Sequence, residues 1–331
     1  MASMSGATIA PGQVDGRPNV TLVDADGALE ATFIPDLGMI GCSVLHDGEQ
    51  LLEMGGGPAA YEERQSTFGI PLLHPWANRL DGWSYEVGDV RVTLDPQSPR
   101  IHRDGATGLP IHGLCGAIPY WEVLDASADG DLARLSAQLD FGAHPDLLDG
   151  FPFPHRVELT ITAQSGRLAI RTAVTPTGDV AVPISFGFHP YLRLPRSDRR
   201  TWDVELPVRR RLVLDDHSIP TGETEAIDPS QISGPLGDRT FDDCFDLLDR
   251  PADGGPVIFS LADKRRRLTV ELGSAYDVAQ VFTPQGAESI CFEPMTAPVN
   301  ALSSGVGLRM AEPGTTFTAE FAIAAESLRR R

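Results

Sequence analysis

The chain has 331 residues, 41% of them hydrophobic and 22% charged, which excludes a disordered or fibrous protein. With 46 acidic residues against 27 basic ones, the net charge is -19, and such a surface repels nucleic acid and acidic membranes. The length suits one large all-β domain spanning residues 1–331.

Residues 1–13 lack the basic start and apolar core of a secretory leader and are candidates for disorder. No run reaches the roughly 18 apolar residues a membrane span needs, so cytoplasmic residence is expected. Period-two alternation marks strands over residues 19–23, 28–34, 90–94 and 132–141. Residues 157–163 and 168–174 flank Gln164-Ser165-Gly166-Arg167, a hairpin turn in which Gly166 supplies a positive φ. Alternation returns over residues 268–272 and 316–322. No amphipathic helix of several turns interrupts it, and 27 prolines and 33 glycines are spread between the strands, where turns belong. The pattern predicts a large antiparallel sandwich with few short helices. The Gly55-Gly56-Gly57 run is too short for a linker, and no repeat period is visible. Cys42, Cys115, Cys244 and Cys291 are widely separated without CxxC spacing and read as free thiols rather than a zinc or disulfide framework. Short arginine runs at 199–200, 209–211, 265–267 and 329–331 read as solvated surface.

Four segments set polar groups among aromatic and proline residues, the composition of a small-molecule pocket. Residues 69–80 (GIPLLHPWANRL) end in Trp76, Asn78 and Arg79. An aromatic face beside an amide and a guanidinium suits a sugar, but taken alone the segment reads better as a buried Trp with a surface Arg. In residues 109–113 (LPIHG), His112 precedes a glycine that lets backbone approach a ligand; alone, it reads as a satisfied core histidine. In residues 185–192 (SFGFHPYL), Phe186, Phe188 and Tyr191 surround His189, and Pro190 favours extended backbone there. In residues 289–302 (SICFEPMTAPVNAL), Glu293 is the one charge in an apolar stretch, so it must be paired, hydrogen-bonded or protonated. A weaker signal is residues 240–245 (TFDDCF), where Asp242 or Asp243 could accept bonds from hydroxyls.

Together and in this order, Asn78-Arg79, His112-Gly113, Phe188-His189-Pro190-Tyr191 and Glu293-Pro294-Met295-Thr296 with the later Asn300 resemble the aldose 1-epimerase (galactose mutarotase-like) family. The resemblance implies a β-supersandwich whose concave face binds a pyranose. It makes Glu293 the base that takes the C1 hydroxyl proton and His189 the acid that protonates the ring oxygen. Arg79, His112 and Asp242 would hold the sugar, with Asn78 and Tyr191 as neighbours. Asp242 matches the family's aspartate better than Asp243, which stands where the family pattern has a histidine, so the hydroxyl preference set by that loop is left open. No metal or cofactor is implied. The expected partner is a monosaccharide and the expected state a monomer or homodimer. A carboxylate near His189 is expected to raise its pKa. The competing readings are a hexose-6-phosphate 1-epimerase, a glycoside hydrolase using Asp242 and Glu293, and a non-catalytic sugar-binding protein of the same fold.

Overall fold

A computed structural model describes residues 6–64 and 68–328. It is an all-β structure in which every strand pairing is antiparallel. A five-stranded sheet runs in chain order from Thr8–Val14 to Glu49–Gln50, and is followed by a nine-stranded and an eight-stranded sheet. The expected strands are present: Arg17–Val23, Leu29–Ile34, Val90–Thr93, Leu132–Asp140, Arg266–Leu272 and Phe317–Ser327. The hairpin joins His155–Gln164 to Arg167–Pro176 through the pair Gln164 and Arg167. Ser165 shares the positive φ with Gly166, as a two-residue primed turn requires. The described residues form four short helices, the longest being Pro58–Arg64.

Two expectations change. The segment proposed as disordered, residues 1–13, overlaps Thr8–Val14, a strand paired along its length with Arg17–Val23; residues 1–5 lie outside the described residues. The arginine runs are not simply solvated surface either. Arg266 is buried, donating to Glu49 at 3.2 Å and to the His46 carbonyl at 3.1 Å. Arg210 pairs with Asp246 at 2.8 Å. The run at 329–331 lies outside the described residues. All four cysteines are free and buried, and burial pushes the Cys42 thiol up to about 11.

Strand parity positions the site. In the eight-stranded sheet, Asp242–Leu248, Val278–Phe282 and Ile290–Met295 are neighbours, and residues directly opposite share a face. One face carries the rows Asp242, Phe282, Cys291 and Cys244, Gln280, Glu293. The other carries Phe245 and Ala279 with Val281 and Phe292. Phe292 packs on Phe259 of the nine-stranded sheet, ring centroids 5.5 Å apart. The core face therefore explains why Ile290–Met295 is so apolar, and the same strand presents Glu293 on the opposite side.

Candidate active site

Asn78, Arg79, His112, His189, Tyr191, Asp242 and Glu293 all line one cavity of about 280 Å³. His189 and Glu293 meet at its base. His189 Nε2 lies 3.2 Å from Glu293 Oε1, and Glu293 is only 1% exposed. The His189 ring stacks on Tyr191 at 4.5 Å and 5°. Its edge meets Phe282 at 5.8 Å and His112 at 5.4 Å. The aromatic enclosure thus differs from the expected one: Phe186 and Phe188 point into the core, where Phe188 packs on Phe321 at 4.8 Å. Gly187 lets this crossing close up, because a Cβ there would stand 2.6 Å from the Pro294 carbonyl oxygen.

Arg79 and His112 are held by two crossing segments. His112 N–H donates to the Asn78 carbonyl at 2.9 Å, and Arg79 bridges Ile111. Asn78, His112 and Asn300 all adopt positive φ without being glycine, a conformation found where the surroundings over-determine a functional loop. Asn300 N–H donates to the Arg79 carbonyl at 3.0 Å, and its Oδ1 accepts from Asp81 N–H at 3.0 Å. Gly113 is obligatory, with φ of 73° and a Cβ position 2.2 Å from the His74 carbonyl oxygen. Trp76 is not a sugar-stacking face. It is fully buried and packs toward Tyr85 at 6.4 Å; only Asn78 and Arg79 of its segment reach the cavity.

Sheet parity separates the paired aspartates. Asp242 lies on the cavity face and accepts from Gln280 Nε2 at 2.7 Å. Asp243 lies on the opposite face and pairs with Arg211 at 2.9 Å. Sequence reasoning missed His102, Asp104, Ile111, Phe68, Phe282 and Pro284 as lining residues. Asp104 accepts from Arg79 Nε at 3.1 Å and from Thr107 Oγ1 at 2.6 Å. A short polar Asp-Gly-Ala-Thr stretch just before the His112 segment was the available signal.

Burial governs the electrostatics. It pushes His189 down to about 3, contrary to the expected rise beside a carboxylate. It also pushes Glu293 well above the ordinary carboxylate range, with Asp242 adding to the effect. His112 is likewise held well below its usual value by burial and by His189. In low dielectric, each of the two contacting groups resists carrying charge alone, so both shifts favour a neutral carboxylic acid beside a neutral imidazole, one proton for the pair. Its two arrangements, neutral acid with imidazole or carboxylate with imidazolium, have the same net charge.

The aldose 1-epimerase family model matches residues 27–324. Escherichia coli (strain K12) has a relative, the uncharacterized protein YihR, 25% identical over 264 residues, covering 74% of this chain and 77% of that one. A galactose mutarotase-like protein of Clostridium acetobutylicum superimposes with a TM-score of 0.85 at 20% identity, over 98% of this chain and 99% of that one. Galactose 1-epimerase of Lactobacillus acidophilus does so with a TM-score of 0.76 at 16% identity, over 98% and 99% of the two chains. These likenesses carry the fold. The match across 27–324 carries the kinship: the chain belongs to the aldose 1-epimerase family.

Proposed function

We propose that this protein is an aldose 1-epimerase that interconverts the α and β anomers of a free aldohexose, with Glu293 as general base and His189 as general acid. The contact of His189 Nε2 and Glu293 Oε1 at 3.2 Å inside the cavity carries this reading. The reaction moves one proton off the C1 hydroxyl and another onto the ring oxygen. Both oxygens are bonded to the same carbon, so their acid and base must themselves be near neighbours.

With Glu293 ionised and His189 protonated, Glu293 takes the hydroxyl proton as His189 delivers its own to the ring oxygen. The C1–O5 bond breaks, and the C1 carbonyl forms. Rotation about C1–C2 turns the other carbonyl face to the ring hydroxyl. During reclosure His189 recovers the proton from O5 while Glu293 returns one to O1. The pair exchanges its two proton arrangements and ends as it began, with neither proton lost to solvent. Arg79 and His112 would hold hydroxyls or the ring oxygen, and Asp242 the far hydroxyls, with Asn78 and Tyr191 fixing their neighbours. This chemistry calls for no metal or redox cofactor, and cytoplasmic residence fits its class.

The carboxylates lining the cavity, Asp104, Asp242 and Glu293, outnumber its one arginine, which favours a neutral sugar over a phosphorylated one. A glycoside hydrolase is disfavoured because the group in contact with Glu293 is a histidine, although the Asp242 carboxylate lines the same cavity. The test is polarimetry of fresh α-D-galactose and α-D-glucose with wild type and Glu293→Gln. Acceleration by wild type that disappears in the variant supports the reading; no acceleration of any free hexose refutes it.

A further inference from the structure

Among the described residues, Arg79 is the only arginine or lysine lining the cavity, and two of its donors are already committed. Its Nε donates to Asp104 at 3.1 Å and its Nη1 to Asn78 Oδ1 at 3.1 Å. Both members of the ion pair are largely buried, at 12% and 13% side-chain exposure. Asp104 is built to stay ionised. Burial alone would raise its carboxyl, but bonds from Thr107 and Arg79 more than offset this and hold it below the usual range. Its Oδ2 accepts from both the hydroxyl and the N–H of Thr107, at 2.6 and 3.2 Å. The loop around it is closed by Gly108 N–H donating to the Asp104 carbonyl at 2.8 Å.

Counted as charges, the cavity then holds three parts. Arg79 and Asp104 cancel. His189 and Glu293, sharing one proton, cancel in either arrangement. Asp242 remains, so the wall a substrate meets is net negative. Removing the Asp104 charge would leave Arg79 uncompensated beside the substrate, where a buried, partly desolvated guanidinium attracts anions strongly.

We propose that Asp104 is the specificity-determining residue of this site: by neutralising and orienting Arg79, it restricts the cavity to uncharged sugars and rejects those bearing phosphate or another anionic group. It is a positioning residue, acting through Arg79. The inference rests on the sugar-epimerase reading but concerns selection, so binding tests it apart from turnover.

The experiment measures Kd by calorimetry, and kcat/KM by anomer-exchange NMR, for D-glucose and D-glucose 6-phosphate. Wild type, Asp104→Asn and Asp104→Glu are compared. Wild type should favour glucose. Asp104→Asn should shift the ratio toward glucose 6-phosphate by about tenfold, the factor expected from about 1.4 kcal/mol of altered charge interaction, mainly in Kd and KM rather than kcat. Asp104→Glu, which keeps the charge, should hold the wild-type ratio. An unchanged ratio in Asp104→Asn, an equal shift in Asp104→Glu, or no phosphosugar binding by Asp104→Asn overturns the proposal. If wild type turns over neither sugar, the epimerase reading fails, and the Kd ratios alone decide the role of Asp104.

Discussion

Among the described residues, two buried histidine contacts are built on a His-Pro dipeptide, and only that of His189 faces a cavity. His74 Nε2 and His155 Nε2 meet at 2.7 Å, with His155 Nδ1 donating to the Phe153 carbonyl at 2.6 Å. Phe141, Phe151 and Phe186 surround that pair. His189 and Glu293 meet at 3.2 Å and line a cavity. Both contacts lie out of water and both push histidine down, His155 to about 4 and His189 to about 3. Burial and a shifted pKa therefore do not distinguish a site from a core. The distinction lies in the partner. An imidazole facing an imidazole shares one proton in a fixed direction, because the Phe153 carbonyl dictates the tautomer. An imidazole facing a carboxylate can exchange its proton arrangement at constant charge, and an open space lets substrate oxygens join the exchange.

The comparison is broken most sharply by removing one member of each pair. Glu293→Gln and His189→Gln should each lower anomer exchange by about 10²- to 10⁴-fold, measured by NMR exchange rates, while far-UV circular dichroism stays native. His155→Phe should leave exchange within a few-fold, and instead lower unfolding free energy in urea by about 1–3 kcal/mol, because buried His74 Nε2 loses its partner. A loss of exchange in His155→Phe as large as in Glu293→Gln would erase the distinction.

Protons separate the two pairs in a second way. His155 is held at about 4 in the folded chain against an ordinary 6.5, so the unfolded chain binds more protons between those values. Its contribution to stability is present above pH 6.5 and is lost as pH falls toward 4, to an extent of up to about 3 kcal/mol. Urea titrations at pH 7 and 5 should show wild type losing more stability than His155→Phe. Catalysis should behave differently. Burial holds His189 down at about 3 and Glu293 well above the ordinary carboxylate range, so kcat/KM should be flat across pH 4 to 5, where an ordinary carboxylate would titrate. A sharp fall of kcat/KM in folded enzyme near pH 4 to 5, where an ordinary carboxylate titrates, would count against a shared proton.

The smallest effects sharpen the boundary of the site. Asp242→Ala should weaken sugar binding by about tenfold through lost hydroxyl contacts, whereas Asp243→Ala, across the sheet, should change KM less than twofold. Equal effects would mean that sheet parity does not select the contact.

Much of this was legible in the sequence. Alternation located the strands because a sheet with one buried face repeats every two residues. The Phe-His-Pro-Tyr and Glu-Pro-Met-Thr segments pointed to His189 and Glu293 because an isolated carboxylate in an apolar strand needs a partner, while the proposed acid and base roles came from the family resemblance. Other features depend on the third dimension. Whether Asp242 or Asp243 faces the cavity depends on the register against Val278–Phe282. Asp104 acquires meaning only when the fold brings it to Arg79, 25 residues away in the chain. Trp76 serves the core, as its segment read alone suggested, while Asn78 and Arg79 two and three residues on reach the cavity. The residence of Thr8–Val14 in a sheet was hidden because its Pro-Gly content reads as coil.

The central claim is that His189 and Glu293 act as one unit, and a double-mutant cycle tests it most directly. Anomer exchange of D-galactose would be measured for wild type, Glu293→Gln, His189→Gln and the double variant. Residues that share one proton path should be strongly non-additive, with the double variant little slower than either single one. Additive losses, in which the double variant falls by the product of the two single effects, would contradict the account.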